Sequence, residues 1–336
     1  MGIIKLKNFK ENNSFEVFND WLQKDLNQVN KIILETLETD STLITELSSY
    51  IIGAGGKRIR PLLTLATAKL CQYSGNRHLN LASVIEFIHT ATLLHDDVVD
   101  GSKKRRGKKT ANFVWGNKSS ILVGDFLLSK AFKILINDGS LKCIDIISNV
   151  SEKISFGEVK QLMSVGKLNI SESDYLEIIG YKTAELFSAA CQLSSEISEI
   201  NEIKKKSLKD FGYFLGISYQ IIDDTLDYFS EEKISGKEIG NDLKENKMTL
   251  PLILCFKRGN KKEKNLIQHM IENKKLNDSD FKWVTEKMKK YDVLNDCLQK
   301  AKHFSVMSKD SLGPFPDNEE KQRLINLVNF LINRKN

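Results

Sequence analysis

Proline is scarce in this chain: four in 336 residues, at positions 61, 251, 314 and 316. Long stretches therefore lack the residue that most surely breaks a helix. Long apolar runs are missing too. None approaches the roughly 18 residues of a membrane-crossing helix, and the opening MGIIKLKNFKENNS has no extended apolar segment of the secretory kind. A cytoplasmic protein is expected. The Met-Gly start is followed by Leu6, where a myristoylation pattern needs Ser or Thr, so no lipid anchor is expected either. The five cysteines, at 71, 143, 191, 255 and 297, contain no CxxC pair and are odd in number. That excludes a disulfide framework and a zinc cluster, and predicts reduced thiols used for packing. Strand-like alternation, βαβ spacing and internal repeats are absent as well, which leaves the helical class.

Charge of both signs and helical periodicity are what the chain does have. Fifty basic against 44 acidic residues leave a net +6, a modest excess that suits an anionic partner without requiring nucleic acid. Apolar residues recur at three and four positions, as in Val84, Phe87, Ile88 and Ala91, so an all-α fold of ten or more helices is expected. No linker composition divides residues 1–336, which predicts a single domain, with 1–15 as a loose start. The break GAGGKR precedes Pro61 in the first turn of a new helix. Asp317, three residues before Glu320, predicts the cap of a final helix. Loops are expected at 74–80, 101–118 and 231–247, among others.

Two acidic clusters carry the chemistry. LLHDDVVD places Asp96 and Asp100 on one helical face with Asp97 about 100° round, and YQIIDDTLDY repeats the spacing with Asp223, Asp224 and Asp227. One such match is compatible with a solvated helix end. Two, each after an apolar helical run, point to a cation held between facing helices, because carboxylates beside buried surface are kept paired or metal-bound. Oxygen-only ligands suit Mg²⁺ in company with substrate phosphates.

Bases complement the acids. GGKRIRP sets Lys57, Arg58 and Arg60 on a Gly-rich loop entering a helix, where a phosphate is favoured; a capped helix with surface bases is the plainer alternative. The run KKRRGKK supplies Arg105 and Arg106, whose guanidinium forks suit phosphate. It resembles a nucleic-acid patch, but the adjacent aspartates would repel a polyanion, so no nucleic acid is expected. A third set is split between Lys182 with Thr183 and Lys237 with Lys247, the latter pair on a long loop able to close as a lid. Gln220 shares the helix face of Asp223. His89 lies two turns before Asp96, a place where a lone histidine is more often structural.

The ordered set GGKRIRP, LLHDDVVD with RRG, GDFLLSKAF, KTAELF, GISYQIIDDTLDY and GKEIGNDLKENKMTLP resembles the trans-polyprenyl diphosphate synthases over roughly residues 40–335. EFIHTATLLHDDVVD is similar to their long-chain branch. The resemblance implies an antiparallel helical bundle around a deep central cavity, in a homodimer, with Mg²⁺ (three per site) bound by Asp96, Asp97, Asp100, Asp223, Asp224 and Asp227. Arg105, Lys182, Thr183, Gln220, Lys237 and Lys247 then match positions on the diphosphate of the allylic substrate. Lys57, Arg60, His89 and Arg106 match those on isopentenyl diphosphate, and Arg58 is left to structure. The implied activity is head-to-tail condensation from a farnesyl-type starter, yielding a long-chain product for quinone side chains; a transient membrane contact for product release is compatible with it. Alternatives are a shorter-chain geranylgeranyl-type synthase, a non-catalytic partner subunit and, last, a terpene cyclase. Asn246 and Met248 stand where relatives often carry Gly and Pro. Ala91 and Thr92, small and about one turn (5.4 Å) beneath the acids, with Ile88 a turn deeper, are expected to wall the product tunnel.

Overall fold

The computed structural model describes residues 11–53, 56–105, 107–229, 240–273 and 277–334. Helix α1 (Glu11–Leu37) and α2 (Thr42–Ile52) lead into α3 (Ile59–Leu70) and α4 (Arg77–Val99). A two-stranded antiparallel hairpin, Lys104–Arg105 with Lys108–Lys109, precedes α5 (Ala111–Trp115), α6 (Asn117–Asp138) and α7 (Leu141–Ser164). α8 (Glu172–Ile179) runs through a π-helical turn (Gly180–Ala184) into α9 (Glu185–Glu196) and then α10 (Glu202–Phe229). α11 (Asn241–Lys244), α12 (Leu250–Arg258), α13 (Lys261–Asn273), α14 (Asp278–Lys290), α15 (Val293–Ser311) and α16 (Glu319–Asn333) complete it. The all-α expectation is met; the hairpin is the only sheet among the described residues.

Burial follows from composition. α3 reads IRPLLTLATAKL, apolar on every side, and all of it but Arg60 and Lys69 is buried, packed among α1, α4 and α9. α4 lies along α6, and α10 packs on α9 and α15. Two apolar cores meet on α10: Leu208, Phe211 and Leu215 belong to the first, Ile217, Ile221 and Tyr228 to the second. α10 and α9 approach closely because position 212 is glycine; a Cβ there would stand 2.4 Å from the carbonyl oxygen of Phe187. Fully buried phenylalanines such as Phe87, Phe187 and Phe211 each contribute roughly 1.5–3 kcal/mol, against the entropy of ordering them.

Some local expectations shift. Residues 11–15, part of the segment 1–15 expected to be loose, are already helical in α1. The loop expected at 101–118 holds the hairpin and α5. The cap of α16 is Asn318, whose Oδ1 accepts the Lys321 N–H at 2.9 Å, while Asp317 pairs with Lys321 Nζ at 2.8 Å; a side chain caps by reaching the N–H three residues on, which places the cap one residue later than Asp317. All five cysteines are free thiols. Among the described residues no helix is long and apolar enough to cross a membrane.

Candidate active site

Both acidic clusters sit at helix C-terminal ends, where the macrodipole disfavours negative charge. Neither α4 nor α10 has a basic residue in its last turn to offset it. A local rule broken twice in the same region marks a functional site. Asp100 caps α4 with a helical backbone, its N–H bonding the carbonyl of Asp96 at 2.8 Å, so the two side chains keep a common face. Asp96 and Asp100 border a cavity of about 540 Å³, and Asp223, Asp224 and Asp227 border it from α10.

Five of the six acids are paired at hydrogen-bond distance, whereas the base nearest the sixth, Asp96, stands beyond it. Lys182 Nζ is 3.6 Å from Asp96, and Lys247 Nζ is 2.8 Å from Asp100. Arg105, turned back by the hairpin, donates from Nε and Nη2 to Asp97 at 3.0 and 2.9 Å. Arg334, just beyond α16, pairs with Asp223 at 2.5 Å and stacks on Tyr219, 3.7 Å from the ring centroid. Asp224 is held by neutral donors, Tyr175 Oη at 2.6 Å and Gln220 Nε2 at 2.7 Å. Asp227 accepts from the backbone N–H groups of Asn241 and Asp242 at 3.3 and 3.0 Å. Asp97 departs from its expected place. It is 3% exposed and does not border the cavity, because its helix angle turns it toward Arg105 instead.

Electrostatics follow from burial. Desolvation raises the Asp97 pKa, opposed by Arg105. Burial lifts Asp224 from the usual carboxyl value to about 7, opposed by Tyr175 and Gln220 and reinforced by Asp223 and Asp227. Burial disfavours the Lys247 ammonium, but Asp100 and Glu245 outweigh it and its pKa rises. Lys57 is lowered, first by desolvation and then by Arg334, with Asp223 opposing.

The bases from the Gly-rich loop reach the same cavity. Lys57 and Arg60 border it with His89, whose Nε2 lies 3.1 Å from Arg60 Nη1. The Arg60 guanidinium also lies on the Phe187 ring, 4.6 Å from its centroid. Arg58 has a left-handed backbone (φ 46) and spends its guanidinium on Asn30 Oδ1 at 2.7 Å and the Ile52 carbonyl at 3.3 Å. Arg58 also borders the cavity. Thr183 Oγ1 donates to Gln220 Oε1 at 2.8 Å, so Thr183, Gln220 and Asp224 form one chain of bonds. Arg106 and Lys237 lie outside the described residues. Of the expected tunnel wall, Thr92 borders the cavity, whereas Ala91 and Ile88 are buried in the first core and do not. Helical twist explains this: the cavity face of α4 carries Glu86, His89, Leu93 and Asp96, and Ala91 lies on the far side.

Residues that sequence reasoning missed also border the cavity: Glu86, Glu158, Tyr219, Asp242 and Arg334. Only Asp242 had a signal, as an acid within GNDLKENKMTLP. Burial raises Asp242 well above the usual carboxyl value, with Asp227 and Asp224 adding to it.

The donor set suits a hard divalent cation, since six aspartates (Asp242 included) border one cavity with no cysteine on its wall. Among the described residues no three His, Cys, Asp or Glu side chains already converge as a cage. Mg²⁺ does not need one, because it keeps several waters and takes one or two carboxylates together with substrate phosphates.

Comparison with known proteins agrees with this geometry. The polyprenyl synthetase family profile matches residues 41–288. An octaprenyl diphosphate synthase of Escherichia coli strain K12 is 40% identical over 321 residues, covering 96% of this chain and 99% of that one. Among solved structures, a polyprenyl synthase from Caulobacter crescentus CB15, complexed with calcium and isoprenyl diphosphate, superposes with TM-score 0.93 at 38% identity, over 96% of this chain and 98% of that one. A decaprenyl diphosphate synthase from Rhodobacter capsulatus gives TM-score 0.91 at 38% identity, over 96% and 99%.

Proposed function

The chain belongs to the polyprenyl synthetase family and is a prenyltransferase, and on that premise we propose that it extends farnesyl diphosphate with successive isopentenyl diphosphates to octaprenyl diphosphate, as one domain working in the cytoplasm. The observation that carries this is the single cavity bordered by acids from both α4 and α10 and by bases from α3, the π-helical turn and Arg334. The Escherichia coli relative's product, octaprenyl diphosphate, supports the chain length.

Asp96, Asp100, Asp223, Asp224 and Asp227 would hold Mg²⁺ (three ions, by the family resemblance), with Asp97 acting through Arg105. Calcium and an isoprenyl diphosphate in the Caulobacter structure support a cation–diphosphate site. When bound, the metal neutralises charge gathering on the departing diphosphate. Lys182, Lys247, Arg105, Thr183 and Gln220 orient that allylic diphosphate, and Lys237 belongs with them by its motif. Lys57, Arg60 and His89 take the isopentenyl diphosphate, joined by Arg106. Stacking on Phe187 and the contact with His89 fix the Arg60 guanidinium before substrate arrives, so little entropy is lost on binding.

The allylic C–O bond breaks, and its electron pair leaves with the diphosphate. The isopentenyl double bond attacks the resulting cation, forming the new C–C bond. A proton then passes to the released diphosphate and restores an allylic product one isoprene longer. The protein's part is to hold both diphosphates, exclude water and supply fixed positive charge where negative charge develops.

We also propose a homodimer through α6 and α7. Leu122, Phe156, Leu162 and Met163 are all more than half exposed, apolar surface that a second copy of the chain would cover. The test is direct. Purified chain with farnesyl diphosphate, isopentenyl diphosphate and Mg²⁺ is expected to yield a C40 product. No turnover by the chain alone would move it to a partner-dependent subunit, and a C20 limit would make it a geranylgeranyl-type synthase.

A further inference from the structure

α7 presents two polar side chains one turn apart, Glu158 and Gln161, to the ammonium of Lys182. Glu158 Oε1 and Oε2 stand 2.7 and 2.8 Å from Nζ, and Gln161 Oε1 stands at 2.8 Å. Asp96 Oδ2 is farther, at 3.6 Å. The approach depends on Gly157. A Cβ at that position would lie 2.8 Å from Cβ of Tyr181 and 3.0 Å from the backbone N of Lys182, so α7 rests directly on the π-helical turn that carries Lys182. Elsewhere this part of α7 shows exposed apolar residues, Phe156, Val159 and Met163. Glu158 and Gln161 are the two side chains of α7 that meet the Lys182 ammonium.

An ammonium has three N–H donors. Two are committed to Glu158 and Gln161, and the third is left toward Asp96 and the cavity. Without Glu158 the nearest carboxylate to Lys182 would be Asp96, and a direct pair between them would compete with a cation for that aspartate.

We propose that Glu158 and Gln161 are positioning residues that hold Lys182 off Asp96, which keeps the aspartate open to metal and the ammonium preset for the allylic diphosphate. This rests on the assignment of Asp96 to metal and of Lys182 to that diphosphate. Partners of this kind are worth on the order of 10-fold to 100-fold in metal affinity.

The experiment measures Mn²⁺ binding to the purified full chain by electron paramagnetic resonance without substrate, together with KM for each substrate. It compares wild type, Glu158→Gln, Gln161→Met, Lys182→Met and the Glu158→Gln/Lys182→Met double variant. Glu158→Gln, which preserves shape, is expected to weaken Mn²⁺ about 10-fold and raise KM for farnesyl diphosphate while leaving KM for isopentenyl diphosphate unchanged. Gln161→Met is expected to move the same quantities less. In the Lys182→Met background, Glu158→Gln should change Mn²⁺ affinity by less than about 2-fold, because its effect passes through the lysine. Unchanged Mn²⁺ affinity and allylic KM in both single α7 variants overturns the inference. So does an undiminished loss in the double variant, which makes Glu158 a ligand itself. An unaltered allylic KM in Lys182→Met overturns the parent assignment of Lys182, and the inference falls with it.

Discussion

Lys247 Nζ lies 2.8 Å from Asp100 Oδ2, an ion pair that joins the end of α4 to the segment between α11 and α12 across 147 residues of chain. The chain turns Lys247 inward at Asn246, whose backbone is left-handed at φ 55. Glycine adopts that conformation freely, and asparagine is among the few other residues that tolerate it. Asn246→Gly is therefore expected to leave stability within about 0.5 kcal/mol, while Asn246→Val lowers it by about 1–2 kcal/mol. Chemical denaturation reads both. An Asn246→Val variant as stable as wild type would refute the strain argument.

Asp96 and Asp97 are neighbours with different surroundings, and their variants are expected to part accordingly. Asp96→Ala should cut turnover by orders of magnitude with the melting temperature nearly unchanged. Asp97→Ala strands the Arg105 guanidinium, so it should lose activity and about 2 kcal/mol of stability, less than a fully buried pair because Arg105 is partly exposed. Asp224→Ala is expected to abolish turnover as well. Thermal melts beside initial rates distinguish the cases, and equal melting of the Asp96 and Asp97 variants would contradict the placement of Asp97.

Proton linkage should be visible in metal-free protein. Burial lifts the Asp224 carboxyl from its ordinary 3.8 to about 7 in the folded chain, so between those values the folded chain holds a proton that the unfolded chain has released. Stability from this group is complete below the lower value and is lost as pH rises through the upper one, by at most about 1.4 kcal/mol per pH unit. Asp224→Asn should flatten the unfolding free energy across that window in urea titrations. A slope identical to wild type would show that another group titrates there.

The two sets of bases predict selectivity. Lys57→Ala and Arg60→Ala should raise KM mainly for isopentenyl diphosphate, and Lys182→Ala mainly for the allylic partner, by on the order of 10-fold or more for loss of a charge-assisted contact. Steady-state titration of each substrate at saturating partner decides it. Parallel rises in both constants for all three variants would remove the two-site assignment.

Of Ala91 and Thr92, only Thr92 borders the cavity, so the test of length control falls on Thr92. Thr92 borders the cavity below Asp96, so Thr92→Phe should shorten the product toward about C15 to C20 with ionisation intact, because a ring there obstructs the space one turn beneath the acids. Ala91 is fully buried in the core, and Ala91→Phe should instead cost about 1–3 kcal/mol through overpacking. Product chromatography beside melting curves tests both. A Thr92→Phe enzyme that remains active with wild-type product length would place the tunnel elsewhere.

Much of this protein was determined by its sequence alone. Scarce proline and three-to-four periodicity are local properties, and a helix needs only its own backbone bonds, so the all-α class was readable residue by residue. The i, i+4 spacing likewise dictated that Asp96 and Asp100, and Asp223 and Asp227, would share faces. Tertiary structure decided everything that depends on which faces meet. Nothing in the sequence sends Asp97 to Arg105 and Ala91 into the core while Asp96 and Thr92 meet the cavity, because the helical pattern leaves the rotation of α4 against its neighbours open. Nor does it show that Glu158 and Gln161 reach Lys182 or that Arg334 reaches Asp223. Those contacts join α7 to the π-helical turn and the end of α16 to α10, and are made only when the two cores close on α10. Motif spacing is a short-range signal, whereas the partners that neutralise a buried charge are chosen by packing over the whole chain.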